Sequence, residues 1–227
     1  MKNHCVFKEI NSLDLGLYME RCPERISPKR RDETITIPGR QGVLVTTDGT
    51  YESYIKQAEF IVRDTSRLDA ICSHFKGSGW LTFSNEPDRR YKARVSNTIT
   101  LAHVIGKIKR FPVEFEVQPF AYERNPKIIS KSDPFGIVNP GTFESEPIIT
   151  LHASGDVSLL INGKTITLSD ITETVTIDSE TMNVYSGSVS MNNNMAGDFP
   201  IFNVGNNSIF WTGNVAKVEV QPNWRWL

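Results

Sequence analysis

The chain has 227 residues, of which 39% are hydrophobic and 22% charged, with a formal net charge of −1. This is the composition of an ordinary globular protein with room for one large or two modest domains. Its apolar runs are far shorter than the ~20 residues that cross a bilayer, so we expect no membrane span. Its start lacks a secretory signal, so we expect it to fold in a cytoplasm.

The two halves of the chain differ in charge. Residues 1–125 hold 20 basic and 16 acidic residues, a balance of +4, whereas the remainder holds 5 and 10, a balance of −5. This favours two separately packed domains, and neither half is basic enough to grip nucleic acid through its phosphates. Cys5, Cys22 and Cys72 show no metal-ligand spacing and are expected to be reduced thiols.

An early hairpin is predicted over Arg31 to Tyr54. Thr34-Ile35-Thr36-Ile37 alternates like a strand, and Pro38-Gly39-Arg40-Gln41-Gly42 predicts a sharp reversal with Arg40 at its tip. Such a hairpin can reach past its own core, which makes it a candidate inter-subunit arm. The residues assigned to this arm are Ile35, Ile37, Pro38, Gly39, Arg40 and Gly42. The alternative is a hairpin packed within its own subunit, with Arg40 as a surface charge.

The rest of the first half predicts an α+β domain. The expected strands are Ile55–Val62, Trp80–Phe83, Tyr91–Leu101 and Lys107–Gln118, the last two joined around His103–Gly106. Helical spacing of apolar residues predicts one helix between Asp64 and Gly77, with Thr65 or Ser66 as its cap. Pro119 is expected to end the strand before it, because proline has no N–H to donate.

A proline-rich segment separates the two halves. Pro126, Pro134, Pro140 and Pro147 fall between Arg124 and Pro147, where helix and sheet are both hard to sustain. We therefore expect an ordered but irregular connector over residues 126–146. It would join a first domain of residues 1–125 to a second domain of residues 147–221.

Short alternating strands predict that the second domain is an antiparallel, jelly-roll-like sandwich. Alternation over 157–161 ends at Asn162-Gly163, a strong two-residue hairpin signal. Further strands are expected around Val175 and Ile177, and over Thr165–Leu168, Phe199–Phe202, Ile209–Trp211 and Ala216–Val220. The whole chain is thus predicted to be mainly β.

The sequence predicts no catalytic, cofactor or metal site, and we expect no enzyme. Gly163-Lys164-Thr165 resembles the end of a phosphate-binding loop, but Ser158 stands where that loop needs glycine. Asp178 and Glu180 lie on one face of a strand end, as a metal or glycosidase site requires, yet an acidic turn is the favoured interpretation.

The aromatic residues of the second half allow two interpretations. Trp211, Trp224, Trp226, Tyr185 and Phe210 suit either the stacking of sugar rings in a groove or core and interface packing, and we favour packing. Two tryptophans at a chain end expose much apolar surface unless something covers them. We therefore expect the tail, residues 222–227, to dock through Trp224, Arg225, Trp226 and Leu227 on its own first domain or on a neighbour.

Several motifs in order resemble the distal tail proteins of long-tailed phages with non-contractile tails. In the first half these are Pro38-Gly39-Arg40-Gln41-Gly42, Asp48-Gly49-Thr50-Tyr51, Gly79-Trp80-Leu81, the Pro87 to Ala93 stretch and the Phe115 to Phe120 strand end. In the second half they are Ser154-Gly155-Asp156-Val157, Ile161-Asn162-Gly163, Ile177-Asp178-Ser179-Glu180, Gly197-Asp198-Phe199-Pro200, Gly205-Asn206-Asn207 and Pro222-Asn223-Trp224-Arg225.

The resemblance implies a structural role in the virion. It implies a homo-hexameric ring of first domains with galectin-like second domains outside it, placed between the tail-tube protein and the tail-tip protein. The ring would leave an axial channel for the genome without sequence-specific binding, and assembly would occur in the bacterial host cytoplasm. The alternative is a carbohydrate-binding module of a cell-surface or lytic protein.

Overall fold

The computed structural model describes residues 2–100, 102–105 and 108–227, and strands dominate it. The chain forms two compact units, one ending at Arg124 and the other spanning Asn125–Trp226. Leu101, Gly106 and Lys107, which the predicted strands and hairpin include, lie outside the described residues. Within the described part, no helix has the length and apolar character needed to cross a membrane.

The first unit contains one antiparallel sheet and a separate hairpin. Its strands are β1 (Cys5–Phe7), β2 (Ile10–Asn11), β3 (Leu17–Met19), β4 (Arg30–Ile35), β5 (Leu44–Tyr51), β6 (Tyr54–Val62), β7 (Ser78–Phe83), β8 (Arg89–Val95), β9 (Ala102–Ile105) and β10 (Ile108–Glu123). The sheet has the order β2-β1-β7-β8-β10-β6-β3, and β9 also pairs with β10. Strands β4 and β5 form a two-stranded sheet of their own.

The core of the first unit follows from alternation along its central strands. Phe111 and Phe115 of β10 are fully buried, as is Phe60 opposite Phe111 on β6. Phe75 packs against these three rings at centroid distances of 5.4 to 6.3 Å. Each buried ring contributes about 1.5–3 kcal/mol, so this aromatic cluster is a large contributor to the stability of the unit.

The predicted helix is present as α1 (Leu68–His74), preceded by a 3-10 turn at Thr65–Arg67. Asp64, and not Thr65 or Ser66, caps that turn, because its Oδ1 accepts a hydrogen bond of 2.9 Å from the backbone N–H of Ser66. The cap prediction was therefore wrong by at least one residue. Gly77, three residues after the helix ends, has a φ of 77°, and β7 begins at the next residue.

Pro119 does not end its strand, contrary to the prediction. Strand β10 runs on to Glu123, and its register with β8 shifts between Val117 and Ala121. A proline cannot donate to the ladder, but the irregularity leaves it without a partner on β8, and pairing with β8 resumes at Ala121 opposite Tyr91.

The second unit is an all-β, sandwich-like domain. Its strands are β11 (Ile129–Lys131), β12 (Phe135–Asn139), β13 (Ile148–Ile161), β14 (Lys164–Ile171), β15 (Thr174–Asp178), β16 (Asn183–Ser186), β17 (Val189–Ser190), β18 (Met195–Ala196), β19 (Gly205–Gln221) and β20 (Arg225–Trp226), with a 3-10 turn at Asn192–Asn194. The main order is β11-β19-β13-β15-β16-β17, with β12 on β19, β14 on β13 and β18 on β14.

The two long strands β13 and β19 each contribute residues to both layers of this sandwich-like domain. The register between β13 and β19 shifts between Ser154 and Ser158, so each strand bends and contributes two runs of buried residues. Gly213 lies at the bend of β19, where a Cβ atom would come within 2.6 Å of the Asp156 carbonyl oxygen. Only glycine fits this close approach of two backbones.

The turn between β13 and β14 is the predicted two-residue hairpin. Asn162 and Gly163 both have positive φ, of 50° and 82°, which confirms the primed turn expected from this pair.

Two segments near the connector differ from the prediction. Strands β11 and β12 lie within the supposed irregular connector and pair with β19, because Pro126, Pro134 and Pro140 fall outside both strands. Phe199–Phe202 forms no strand; only Phe202 makes an isolated bridge, to Ser145. Pro200 lacks the donor that a ladder there would need.

Candidate functional site

The β4–β5 hairpin is present as predicted, and we call residues 29–52 the arm. Ile35 pairs with Leu44 and Thr34 with Val45 across two antiparallel strands. Every residue from 29 to 50 is exposed. A hairpin packed within its own subunit would bury one of its faces, and this hairpin does not.

The tip of the arm is the predicted reversal. Gly39 and Gly42 both have a φ of 80°, which residues with a Cβ rarely adopt, and the N–H of Arg40 donates to the carbonyl of Ile37 at 3.1 Å. Arg40 is exposed beside them. The turn is therefore set by local backbone chemistry and presents one cation at its end.

Apolar side chains cluster beside this tip and face solvent. Ile35, Ile37, Val43, Leu44 and Val45 are between 37% and 54% exposed. A lone two-stranded hairpin is at best marginally stable in water, and contiguous exposed apolar surface marks an interaction site. The composition of the arm therefore favours contact with another protein surface.

A second turn shapes strand β5. The Asp48 carboxylate accepts hydrogen bonds from the backbone N–H and the hydroxyl of Thr50, at 2.8 and 2.6 Å. These bonds hold the pKa of Asp48 below its ordinary value. The adjacent Gly49 has a φ of 79°, and the strand register shifts between Arg30 and Asp32.

The root of the arm is fastened to the first unit where β5 leads into β6. The ring of Tyr51 meets that of Phe120 edge-on at 6.3 Å, and the Ser53 hydroxyl donates to Glu116 at 2.8 Å. The N–H of Glu52 also donates to the carbonyl of Lys29 at 2.9 Å, which closes the hairpin.

A buried lysine on β6 contacts the segment that precedes the arm. Lys56 is 0% exposed, and its ammonium donates to the backbone carbonyl of Glu24 at 3.0 Å and to Glu86 at 3.3 Å. The same Glu86 oxygen accepts the Tyr91 hydroxyl at 2.8 Å, and the Lys56 ammonium lies 4.7 Å from the Tyr91 ring centroid. Burial lowers the pKa of Lys56, against the opposing effect of Glu86. Burial also raises the pKa of Tyr91.

Sequence reasoning missed this lysine. The signal was present, because Lys56 lies in phase with the inward-facing Ala58, Phe60 and Val62 of β6. A charged residue in the apolar phase of a strand indicates a buried ion pair.

The first residues of the tail are packed within the second unit. Trp224 is 7% exposed and packs on Phe202 at a centroid distance of 5.9 Å. Arg225 donates from Nε to the Glu144 carbonyl at 2.7 Å and pairs with Glu146 at 2.9 Å. Docking of Trp226 and Leu227 on a first domain stays a prediction.

The aromatic residues of the second unit do not line one groove. Trp211 contacts Phe135 edge-on at 6.4 Å and Trp224 is buried against Phe202, whereas Phe210 is 50% exposed. These environments are those of packing residues, with Phe210 as the exception. Among the described residues, no three His, Cys, Asp or Glu side chains form a group that could hold a metal ion.

Comparison with known proteins agrees with this architecture. Residues 12–117, which include the whole arm, match the family described as phage tail protein RIFT-related domain. No curated protein matches the sequence. The chain is similar over 100% of both lengths to the crystal structure of the SPP1 Dit (gp 19.1) protein, with a TM-score of 0.79 and 14% identity. That protein is described as a paradigm of the hub adsorption apparatus in phages that infect Gram-positive bacteria. Residues 12–117 thus match a phage tail protein RIFT-related domain, and the whole chain has the fold of the SPP1 Dit protein, as the resemblance to the distal tail protein family predicts.

Proposed function

We propose that this protein is the distal tail protein of a phage with a non-contractile tail. Six copies form a ring through their first domains, and the ring joins the tail tube to the tail tip. The ring leaves an axial passage for the genome, and the protein acts by assembly without turning over a substrate. It is made in the host cytoplasm and ends in the virion.

The exposed apolar arm is the observation that carries this proposal. Five apolar side chains at its tip face solvent in the single chain, a state that a partner surface would relieve. A closed ring needs two different, complementary patches on each subunit. The arm supplies one patch, and a neighbour's sheet edge supplies the other.

Two strands offer such an edge in the first unit. Within the sheet, β2 ends one side of the order and β3 ends the other. Ile10 on β2 and Tyr18 on β3 are 42% and 37% exposed. Edge strands carry unpaired backbone groups that readily pair with an incoming strand, so the arm of one copy can extend the sheet of the next.

The remaining parts of the chain fit around such a ring. The second domains, galectin-like by resemblance, lie outside it, and the tail residues Trp226 and Leu227 dock on a first domain of the same or a neighbouring copy. The two faces of the ring meet the tail-tube protein and the tail-tip protein. No cofactor enters this function.

Particle mass and shape test the proposal. Native mass spectrometry and electron images of the purified protein, alone and with its tail-tip partner, are expected to show six-subunit rings with a central hole. A protein that stays monomeric under both conditions, or one that turns over a substrate, contradicts the proposal.

A carbohydrate-binding module is the second candidate, and Phe210 is the observation in its favour. Its ring is half-exposed beside Leu160 on the outer face of the β13–β19 pair, where it could stack on a sugar. Glycan-array binding by a monomer, lost on Phe210→Ala, would support this candidate. A ring-forming protein without glycan affinity would eliminate it.

A further inference from the structure

The segment that leads into the arm has no regular structure, yet it is held to the first unit at successive positions. Residues 22–29 lie between β3 and β4 without forming a strand or helix. The contacts are Cys22 Sγ to Ser84 Oγ at 3.2 Å, the Pro23 carbonyl to Asn85 Nδ2 at 3.1 Å, the Glu24 carbonyl to Lys56 Nζ at 3.0 Å and Arg25 Nε to Glu86 Oε1 at 3.9 Å.

Lys56 is the buried centre of these contacts. Its partner Glu86 keeps only 14% of its side chain exposed and bonds to both Lys56 and Tyr91. Removing an ammonium from water is strongly unfavourable unless the charge is paired and hydrogen-bonded. A methionine or leucine at this position would satisfy the core without that penalty.

Stability alone therefore does not account for a lysine here. Well-packed apolar residues often replace a buried ion pair with no loss of stability. What an apolar side chain cannot do is hold the Glu24 carbonyl, because it has no donor. The feature specific to Lys56 is the hydrogen bond to the backbone of the arm's leading segment.

We propose that Lys56 is a positioning residue, whose ammonium, held by Glu86, fixes the Glu24 carbonyl and so sets the direction in which the arm leaves the first unit. This inference rests on the proposed ring, because a heterologous interface closes only when each arm meets its neighbour at one rotation. If the root of the arm were mobile, the arms would point in many directions, and ordering them would increase the entropic cost of assembly.

The double variant Lys56→Met/Glu86→Gln separates positioning from stability. It removes both charges of the pair but keeps an acceptor for the Tyr91 hydroxyl, so the thermal midpoint is expected to stay close to that of the wild type. Trypsin cleavage of the unassembled protein after Arg25 is expected to be about tenfold faster, since the hydrogen bond to the segment is lost. Cleavage after Arg40, at the arm tip, serves as the internal control and is expected to be unchanged. Rings are expected to be lost.

Two further variants guard the interpretation. Glu86→Gln keeps an acceptor for Tyr91 and Lys56 but weakens the hold on the ammonium, and it is expected to raise cleavage after Arg25 less than the double variant does. Lys217→Met, which breaks a partly exposed pair with Glu219 in the second unit, is expected to leave cleavage and rings unchanged. Wild-type cleavage rates after Arg25 in both Glu86 variants would overturn the inference. Cleavage is measured on unassembled protein, so this result does not depend on whether rings form. Absence of rings in the wild type would contradict the proposed function and not the positioning role of Lys56.

Discussion

Ile35 and Leu44 face each other across the last strand pair before the arm tip, and their side chains are 41% and 42% exposed. Leu44→Asp is expected to abolish ring formation, because it places a charge in the surface that a neighbour must cover. The fold should survive, since exposed substitutions usually change the unfolding free energy by within about 0.5 kcal/mol. Native mass spectrometry and a thermal melt measure the two effects.

Val189→Asp is the matched control for this prediction. Val189 is 64% exposed but belongs to the second unit and is not part of the arm. It introduces the same type of change, so it is expected to leave rings intact. If both variants assemble equally well, the arm is not the interface.

Gly39→Val tests whether the tip turn is set by its backbone. The φ of 80° costs a residue with a Cβ about 1–2 kcal/mol, and no atom lies within 4 Å of the position that a Cβ would take, so crowding adds nothing. The arm should open locally and trypsin should cleave faster after Arg40, while the melting temperature of the unit stays the same. Gln41→Ala, at a nearby position of the same turn, is the control. A lowered melting temperature would show that the arm is part of the core.

Local chemistry made much of the candidate site predictable from the sequence. The alternation around Ile35 and the glycines at the tip are short-range signals, and they predicted both the hairpin and its turn. Asn162-Gly163 worked in the same way. Each depends on φ preferences and period-two alternation, which need no knowledge of the rest of the fold.

Long-range contacts explain what the sequence did not predict. Lys56 is held by Glu24 and Glu86, which are about 30 positions away on either side, so its burial depends on the assembled sheet. The continuation of β10 beyond Pro119 likewise depends on β8 being present to resume pairing at Ala121. Local sequence rules correctly predict that Pro119 cannot donate a hydrogen bond to the sheet. They cannot predict that a neighbouring strand allows the pairing to resume after it.

Cys5 is expected to make the first unit less stable at alkaline pH. Burial raises the pKa of its thiol from 9.0 to about 12, so between these values the thiol is protonated in the folded chain and ionised in the unfolded chain. The folded state then binds one more proton, and stability that is fully present below pH 9 falls as the pH rises. The slope is about 1.4 kcal/mol per pH unit for that proton.

Cys5→Ala is expected to remove this part of the slope. Urea unfolding between pH 8 and pH 10.5, followed for the first unit, would show the variant losing less free energy than the wild type over that range. The variant should be less stable at pH 8, since a buried side chain is shortened, so the comparison is between slopes. Parallel curves for the two proteins would contradict the prediction.

Arg225 is expected to stabilise the second unit far more than its position near the chain end suggests. It is 6% exposed, and its guanidinium bonds to the Glu144 carbonyl and the Glu146 carboxylate. Arg225→Ala leaves both without this donor, so the unfolding free energy of that unit should fall by about 3 kcal/mol. Lys217→Ala, which removes a second-unit lysine that is 41% exposed and pairs with Glu219, should cost within about 1 kcal/mol. Tryptophan fluorescence during urea unfolding reports mainly on the second unit, because Trp211, Trp224 and Trp226 lie there and only Trp80 lies in the first. Equal losses in the two variants would mean that the tail contributes only a surface ion pair.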